Sequence, residues 1–253
     1  MADGPRRLAA ARGAYLLPSL FTIGNMFLGF YAIVLGLRDR FGAAALVIFC
    51  AGVLDGLDGR IARLMSTESE FGKEYDSLAD LATFGIAPAL LAYLWGLDEM
   101  GRIGWLIPLF FVVCTATRLA RFNVRSHLPE TPFFAGLPTP AAAGAVASVL
   151  FIAPDNDWKE WLNVLLLAVL VTLSLLMVST FRYFSFKKID LRRRRSYRVV
   201  LPIAAVLLVA AYHPPAFFVS AAALYTASGP ALWLRGRLRS SESRADEAEE
   251  RGS

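Results

Sequence analysis

Four aspartates stand at spacings that can do chemistry: Asp55 with Asp58, and Asp76 with Asp80. Gly59, Ala62 and Arg63 follow the first pair, and Gly72 precedes the second. On a helix at about 100° per residue, Asp55, Asp58, Gly59, Ala62 and Arg63 share one face about 140° wide. Asp76 and Asp80 lie one turn apart on the next helix, with Gly72 a turn earlier on the same face. The polar link Ser66-Thr67-Glu68-Ser69 lets the two helices pack antiparallel, so all four carboxylates are expected to converge. Such a cluster repels itself in a partly desolvated site, and either holds protons or is neutralised by cations. Oxygen ligands without His or Cys select Mg2+, Mn2+ or Ca2+. A pair of such ions about 3.5–4 Å apart stabilises both the attacking and the leaving oxygen in phosphoryl-type transfer. Gly59 and Ala62 leave room for a bulky ligand, and Arg63 can pair with a phosphate. The pattern therefore predicts a site for a diphosphate with divalent metals. Solvated helix ends would explain one or two of these acids, but not four at matched helical spacing.

The elements that must carry these residues are membrane helices. Of the 253 residues, 56% are hydrophobic and only 19% charged, with a mean hydropathy of +0.50. The apolar residues gather in runs near the roughly 20 residues a bilayer span needs. Expected spans are 15–37, 41–57, 78–96, 103–120, 138–154, 160–181, 198–212 and 215–234, an all-α polytopic bundle of about eight helices. With that count, all but four of the 26 Lys and Arg fall on one side, the exceptions being Arg38, Arg40, Arg102 and Lys159. By the positive-inside rule the rich side is cytoplasmic, which puts both termini and the aspartates there. A multi-pass protein of the inner (cell) membrane is expected. No small-residue cleavage site follows the first apolar run, so no signal peptide is expected. The net charge of +5 is read as topology anchoring and not nucleic-acid binding, and Arg192–Arg195 as a cluster that also attracts anionic lipid. Cys50 and Cys114 sit in apolar runs, and His127 and His213 are too scattered for a metal site.

At the aspartates the sequence resembles the CDP-alcohol phosphatidyltransferases. Their signature, D-x-x-D-G-x-x-A-R, eight residues, then G-x-x-x-D-x-x-x-D, is met at every fixed position from Asp55 to Asp80. The resemblance implies that Asp55, Asp58, Asp76 and Asp80 bind two divalent cations, Mg2+ or Mn2+, and that Asp80 is also the general base. It implies that Gly59, Ala62 and Arg63 cradle the cytidine diphosphate of CDP-diacylglycerol, with Gly72 on the same face and a loop hydroxyl, Ser69, assisting. Three further stretches resemble the serine-using, membrane-spanning branch of the family: Arg118-Leu-Ala-Arg121-Phe-Asn123, Phe134-Ala-Gly136-Leu-Pro138-Thr139-Pro140 and Tyr183-Phe-Ser185-Phe-Lys187. So does Phe21-Thr22-Ile-Gly24-Asn25 in the first span. Pro18-Ser19 and Phe184 depart from that branch's usual residues. The resemblance favours a homodimer formed through membrane-helix packing.

The acceptor pocket also has a physical argument. L-Serine carries a carboxylate, and arginine forks suit carboxylates, so Arg118 and Arg121 are candidates beside Asp80; snorkelling helix-end arginines are the alternative. Asn123 and Lys187 are weaker candidates. Thr22 and Asn25, one turn apart, either line the nucleotide site or make an interhelical hydrogen bond. Phosphatidyl transfer to serine, giving phosphatidylserine and CMP, is the expected reaction. Glycerol 3-phosphate, an inositol derivative or choline are the alternative acceptors, and an ion- or proton-coupled transporter the alternative class. The expected organisation is a basic segment at 1–14, a catalytic core at 15–190, a basic loop and two further spans at 191–236, and a disordered tail at 237–253.

Overall fold

In the computed structural model the described residues are 4–65, 70–125, 133–154, 159–184 and 214–250. They form eight α-helices: α1 Gly4–Gly36, α2 Phe41–Met65, α3 Glu70–Asp80, α4 Ala87–Trp95, α5 Gly101–Arg125, α6 Thr139–Ile152, α7 Lys159–Val178 and α8 Pro214–Glu250. Four stretches are long and apolar enough to cross a membrane: Glu70–Trp95, Leu97–Val124, Trp161–Val178 and Ala216–Trp233. Shorter apolar helices run over Leu20–Gly36, Phe41–Leu57 and Thr139–Ile152. The span expected at 198–212 lies outside the described residues.

Small residues let these helices approach closely. Ala32, Ala44, Ala51, Ala142, Ala143 and Ala147 are fully buried, and Ile48, Phe84, Leu91, Phe111, Leu150 and Leu166 fill the spaces between them. Close backbone approach of this kind is how apolar helices gain packing energy when lipid removes the hydrophobic drive between them. Phe27, Phe30, Leu106, Leu109, Trp161 and Leu175 instead face outward and stay exposed, an apolar belt suited to lipid.

The third expected span is one continuous helical path with a local widening. A π-helical turn, Leu81–Ile86, joins α3 to α4, and Ala87 N–H bonds to the carbonyl of Ala82, five residues back. Pro88 follows at once; it has no N–H to donate, and its ring would clash in a regular turn, so the wider turn accommodates it. Asp80 is the last residue before this turn. The π turn is pinned to α1 by Thr83 Oγ1, which donates to the Asn25 carbonyl over 3.0 Å. The approach is tight enough that a Cβ on Gly29 would sit 2.7 Å from Thr83 Cα.

At the opposite end of the bundle, Trp95 Nε1 donates to the Ala153 carbonyl (2.8 Å) and Asn163 Nδ2 to the Gly96 carbonyl (3.1 Å). These bonds satisfy backbone groups where helices stop.

Two features depart from the sequence expectation. Strands β1 Phe133–Ala135 and β2 Arg182–Phe184 pair antiparallel, with Phe134 opposite Tyr183. Each carries two aromatics in three residues, too short to show a period yet well suited to an extended ladder. The other departure is the tail, expected to be disordered from 237: its backbone continues α8 to Glu250. Its Ala, Glu and Arg residues have high helix propensity, and extending an existing helix avoids the nucleation cost.

Candidate active site

Asp55 on α2 and Asp76 and Asp80 on α3 converge as their spacing predicts. Each offers one carboxylate oxygen, and the three oxygens lie within 4.8 Å of one another, at half-buried positions. Asp80 feels the like charges of Asp55 and Asp76 and the opposite charge of Arg118. Asn25 on α1 donates from Nδ2 to Asp80 Oδ1 over 3.3 Å. That bond is interhelical, the second of the two alternatives for Asn25, and it lies at the acid cluster. Its Oδ1 is buried without a hydrogen-bond partner among the described residues. Thr22 is buried one turn earlier on α1.

The site is thus assembled from three pieces, with α2 supplying Asp55. The α3–π–α4 helix supplies Asp76 and Asp80, while α1, locked to it through Thr83 and Gly29, holds Asp80 in place. A donor set of three clustered carboxylates without His or Cys fits a hard divalent cation such as Mg2+, Mn2+ or Ca2+. Like charges this close need such a counter-charge, and Arg118 supplies part of it.

Asp58, Gly59, Ala62 and Arg63 lie in the last turns of α2, which carries their backbone on from Asp55. Their side chains are outside the described residues, as are Ser69 and Lys187 altogether. Gly72 sits in the first turn of α3, half-buried, a turn before Asp76.

The residues expected around the acceptor divide. Arg118 on α5 is buried, only 9% exposed, within electrostatic reach of both Asp80 and Tyr225 of α8. Its Nε has no hydrogen-bond partner among the described residues. Arg121, one turn on, points elsewhere: Nη1 donates to the Val178 carbonyl over 3.0 Å, closing the C-terminal end of α7. Asn123 bonds α5 to α3, giving its Nδ2 protons to Ser77 Oγ (3.0 Å) and Glu74 Oε2 (3.2 Å). It braces the helix that bears Asp76 and Asp80. Tyr225 lies in the expected span 215–234 but outside every stretch singled out for the site, and no local pattern marks it.

An apolar groove of about 620 Å³ opens between α2, α6 and α8, lined by Phe49, Gly52, Val53, Ala141, Gly144 and Phe218 among others.

The sequence profile of CDP-alcohol phosphatidyltransferases matches residues 15–176. The chain belongs to the CDP-alcohol phosphatidyltransferase family. This phosphatidyltransferase is 43% identical over 178 residues to the CDP-diacylglycerol–serine O-phosphatidyltransferase of Helicobacter pylori, covering 69% of this chain and 74% of that protein. It is 38% identical over 173 residues to the Bacillus subtilis protein of the same name, covering 68% of this chain and 92% of that one. The Mycobacterium bovis protein of that name is 38% identical over 170 residues, 65% of this chain and 59% of the relative. In this phosphatidyltransferase the three converged aspartates all lie inside the matched region, whereas Tyr225 and the whole of α8 lie outside it.

Proposed function

We propose that this phosphatidyltransferase moves the phosphatidyl group of CDP-diacylglycerol to the hydroxyl of L-serine, giving phosphatidylserine and CMP. The observation that carries the reading is the meeting of Asp55, Asp76 and Asp80 beside a buried arginine, Arg118. The names of the relatives at 38–43% identity support serine as the acceptor.

Divalent cations, Mg2+ or Mn2+, held by Asp55, Asp58, Asp76 and Asp80 would offset the charge of the diphosphate and of departing CMP. The protein's own groups do the rest. Gly59, Ala62, Arg63, Ser69 and Gly72 line the nucleotide, with Thr22 at its edge. Asn25 orients Asp80, whose carboxylate takes the proton from the serine hydroxyl as that oxygen attacks the lipid-side phosphorus. The bond from phosphorus to the CMP oxygen breaks, and CMP leaves. Arg118 faces the serine carboxylate, with Lys187 a second cation for it. Arg121 and Asn123 brace the wall of this pocket, a role that their bonds to α7 and α3 support. The lipid's acyl chains run from the acids along the apolar groove into the bilayer. Positioning and charge supply most of the rate, since a serine hydroxyl is a weak nucleophile.

The charge distribution supports about eight spans, with both termini and the site on the cytoplasmic side of the inner membrane. Residues 15–190 form the catalytic core, 191–236 a basic loop with two more spans, and a homodimer packs through membrane helices.

The test is CMP release by purified protein given CDP-diacylglycerol, Mg2+ or Mn2+, and one acceptor at a time. Release with L-serine is expected. Release with glycerol 3-phosphate but not serine would reject the acceptor, and no release with any alcohol would reject the reaction.

A further inference from the structure

Helix α8 lies wholly outside the family match, yet it is seated on the site side of the bundle by three successive contacts. Tyr183 of β2 is fully buried and donates from its hydroxyl to the Thr226 carbonyl over 3.1 Å. Burial and the neighbouring Tyr225 push that phenol up to about 12, so it remains a protonated donor at physiological pH. Gly229, one turn further along α8, lies directly on the Tyr183 ring, where a Cβ would overlap it. Trp233, another turn on, packs edge-on to Phe181 with centroids 5.7 Å apart. The ladder between β1 and β2 fixes Tyr183, and Tyr183 in turn fixes the rotation of α8.

That rotation carries Tyr225 to the edge of the site. Its ring lies 5.7 Å from that of Tyr183, tilted by 38°, and it is within electrostatic reach of Arg118. Arg118 is within electrostatic reach of both Asp80 and Tyr225, and its buried Nε is satisfied by no described residue. A guanidinium has five donors in a fixed fork, and leaving one unspent in a dry site is costly unless a ligand takes it.

We infer that Tyr225 is a positioning and specificity-determining residue for the acceptor: its phenol oxygen holds one edge of the Arg118 fork, so that the remaining donors face the carboxylate of an amino-acid alcohol beside Asp80. The inference rests on the proposed acceptor and deepens it. Alcohols without an acidic group, such as ethanolamine, leave those donors unpaired and are rejected; the last helix thus reads the acceptor while the matched core handles the nucleotide.

The experiment compares wild type with Tyr225→Phe, which keeps the ring. KM for L-serine, KM for CDP-diacylglycerol, kcat, Tm and the kcat/KM ratio of serine to ethanolamine are measured on the purified full chain. A hydrogen bond to a charged group supports an expectation of about a tenfold rise in KM for serine and a comparable fall in the serine-to-ethanolamine ratio. KM for CDP-diacylglycerol and Tm should stay at wild-type values. An unchanged KM for serine with an unchanged ratio overturns the inference. So does a loss spread over both substrates together with Tm, which would mark a structural role. If wild type uses another alcohol instead of serine, the acceptor reading fails by itself. The same comparison with that alcohol then decides Tyr225: a rise confined to its KM supports the positioning role and no rise overturns it. Turnover with no alcohol at all overturns both.

Discussion

Asn25 offers the sharpest test of how α1 contributes to catalysis. Its amide reaches Asp80 Oδ1 over 3.3 Å, slightly longer than the usual 2.7–3.2 Å range for N–H···O bonds. Hydrogen bonds to charged groups contribute about 1.5–3 kcal/mol, and the length argues for the low end of that range. At about 1.4 kcal/mol per factor of ten, Asn25→Ala should lower kcat about tenfold through a less firmly oriented Asp80. Stability should move little. The replaced side chain is buried with Oδ1 unpartnered among the described residues, so its removal also relieves a desolvation cost that offsets the lost contact. Asn25→Asp adds a further carboxylate against Asp55, Asp76 and Asp80 and should reduce activity much further. The assay is CMP release at saturating CDP-diacylglycerol and serine, alongside a thermal melt. Full kcat in Asn25→Ala, or a kcat loss matched by a large fall in Tm, would refute the orienting role.

Other consequences can be checked with the same preparation. Gly29→Ala forces a methyl against the Thr83 backbone, an overpacking cost of about 1–3 kcal/mol, and should lower both Tm and kcat because the π turn carries Asp80's orientation. Arg121→Ala removes the donor to the Val178 carbonyl and should lower Tm while leaving KM for serine within about twofold, since one such hydrogen bond contributes about 1 kcal/mol to stability; a large KM effect at constant Tm would return Arg121 to the acceptor pocket. Chelation with EDTA should abolish CMP release, and Mg2+ or Mn2+ should restore it. Asp55→Ala should lose metal-dependent binding of CDP, read by isothermal calorimetry.

The part of the site readable in the sequence is the part written in local spacing. Asp55, Asp76 and Asp80 announce themselves because helical periodicity places them on facing surfaces, and a motif of fixed length leaves little freedom between them. Helices were readable for a similar reason, as long apolar runs, although the π turn before Pro88 merged an expected short span into Glu70–Trp95. What stayed hidden depends on contacts distant in the chain. Arg118 and Arg121 look equivalent on one side of the helix, yet a three-residue step falls about 60° short of a turn, and one meets Asp80 while the other meets the end of α7. Asn123 could have faced substrate, but its partners Glu74 and Ser77 become visible only once α3 packs on α5. Tyr225 is an ordinary aromatic in an apolar run until Tyr183 and Gly229 fix the rotation of α8. Three-residue strands carry no period at all.

The central claim, that these aspartates transfer a phosphatidyl group to serine with Asp80 taking the proton, is tested most directly with labelled serine. Purified wild type and Asp80→Asn are incubated with CDP-diacylglycerol, divalent metal and radiolabelled L-serine, and label in the lipid phase is counted while CDP binding is measured in parallel. The account predicts labelled phosphatidylserine from wild type and none above background from Asp80→Asn, with CDP binding retained in both. Lipid labelling by Asp80→Asn at the wild-type rate, or no labelled lipid from wild type, would contradict it.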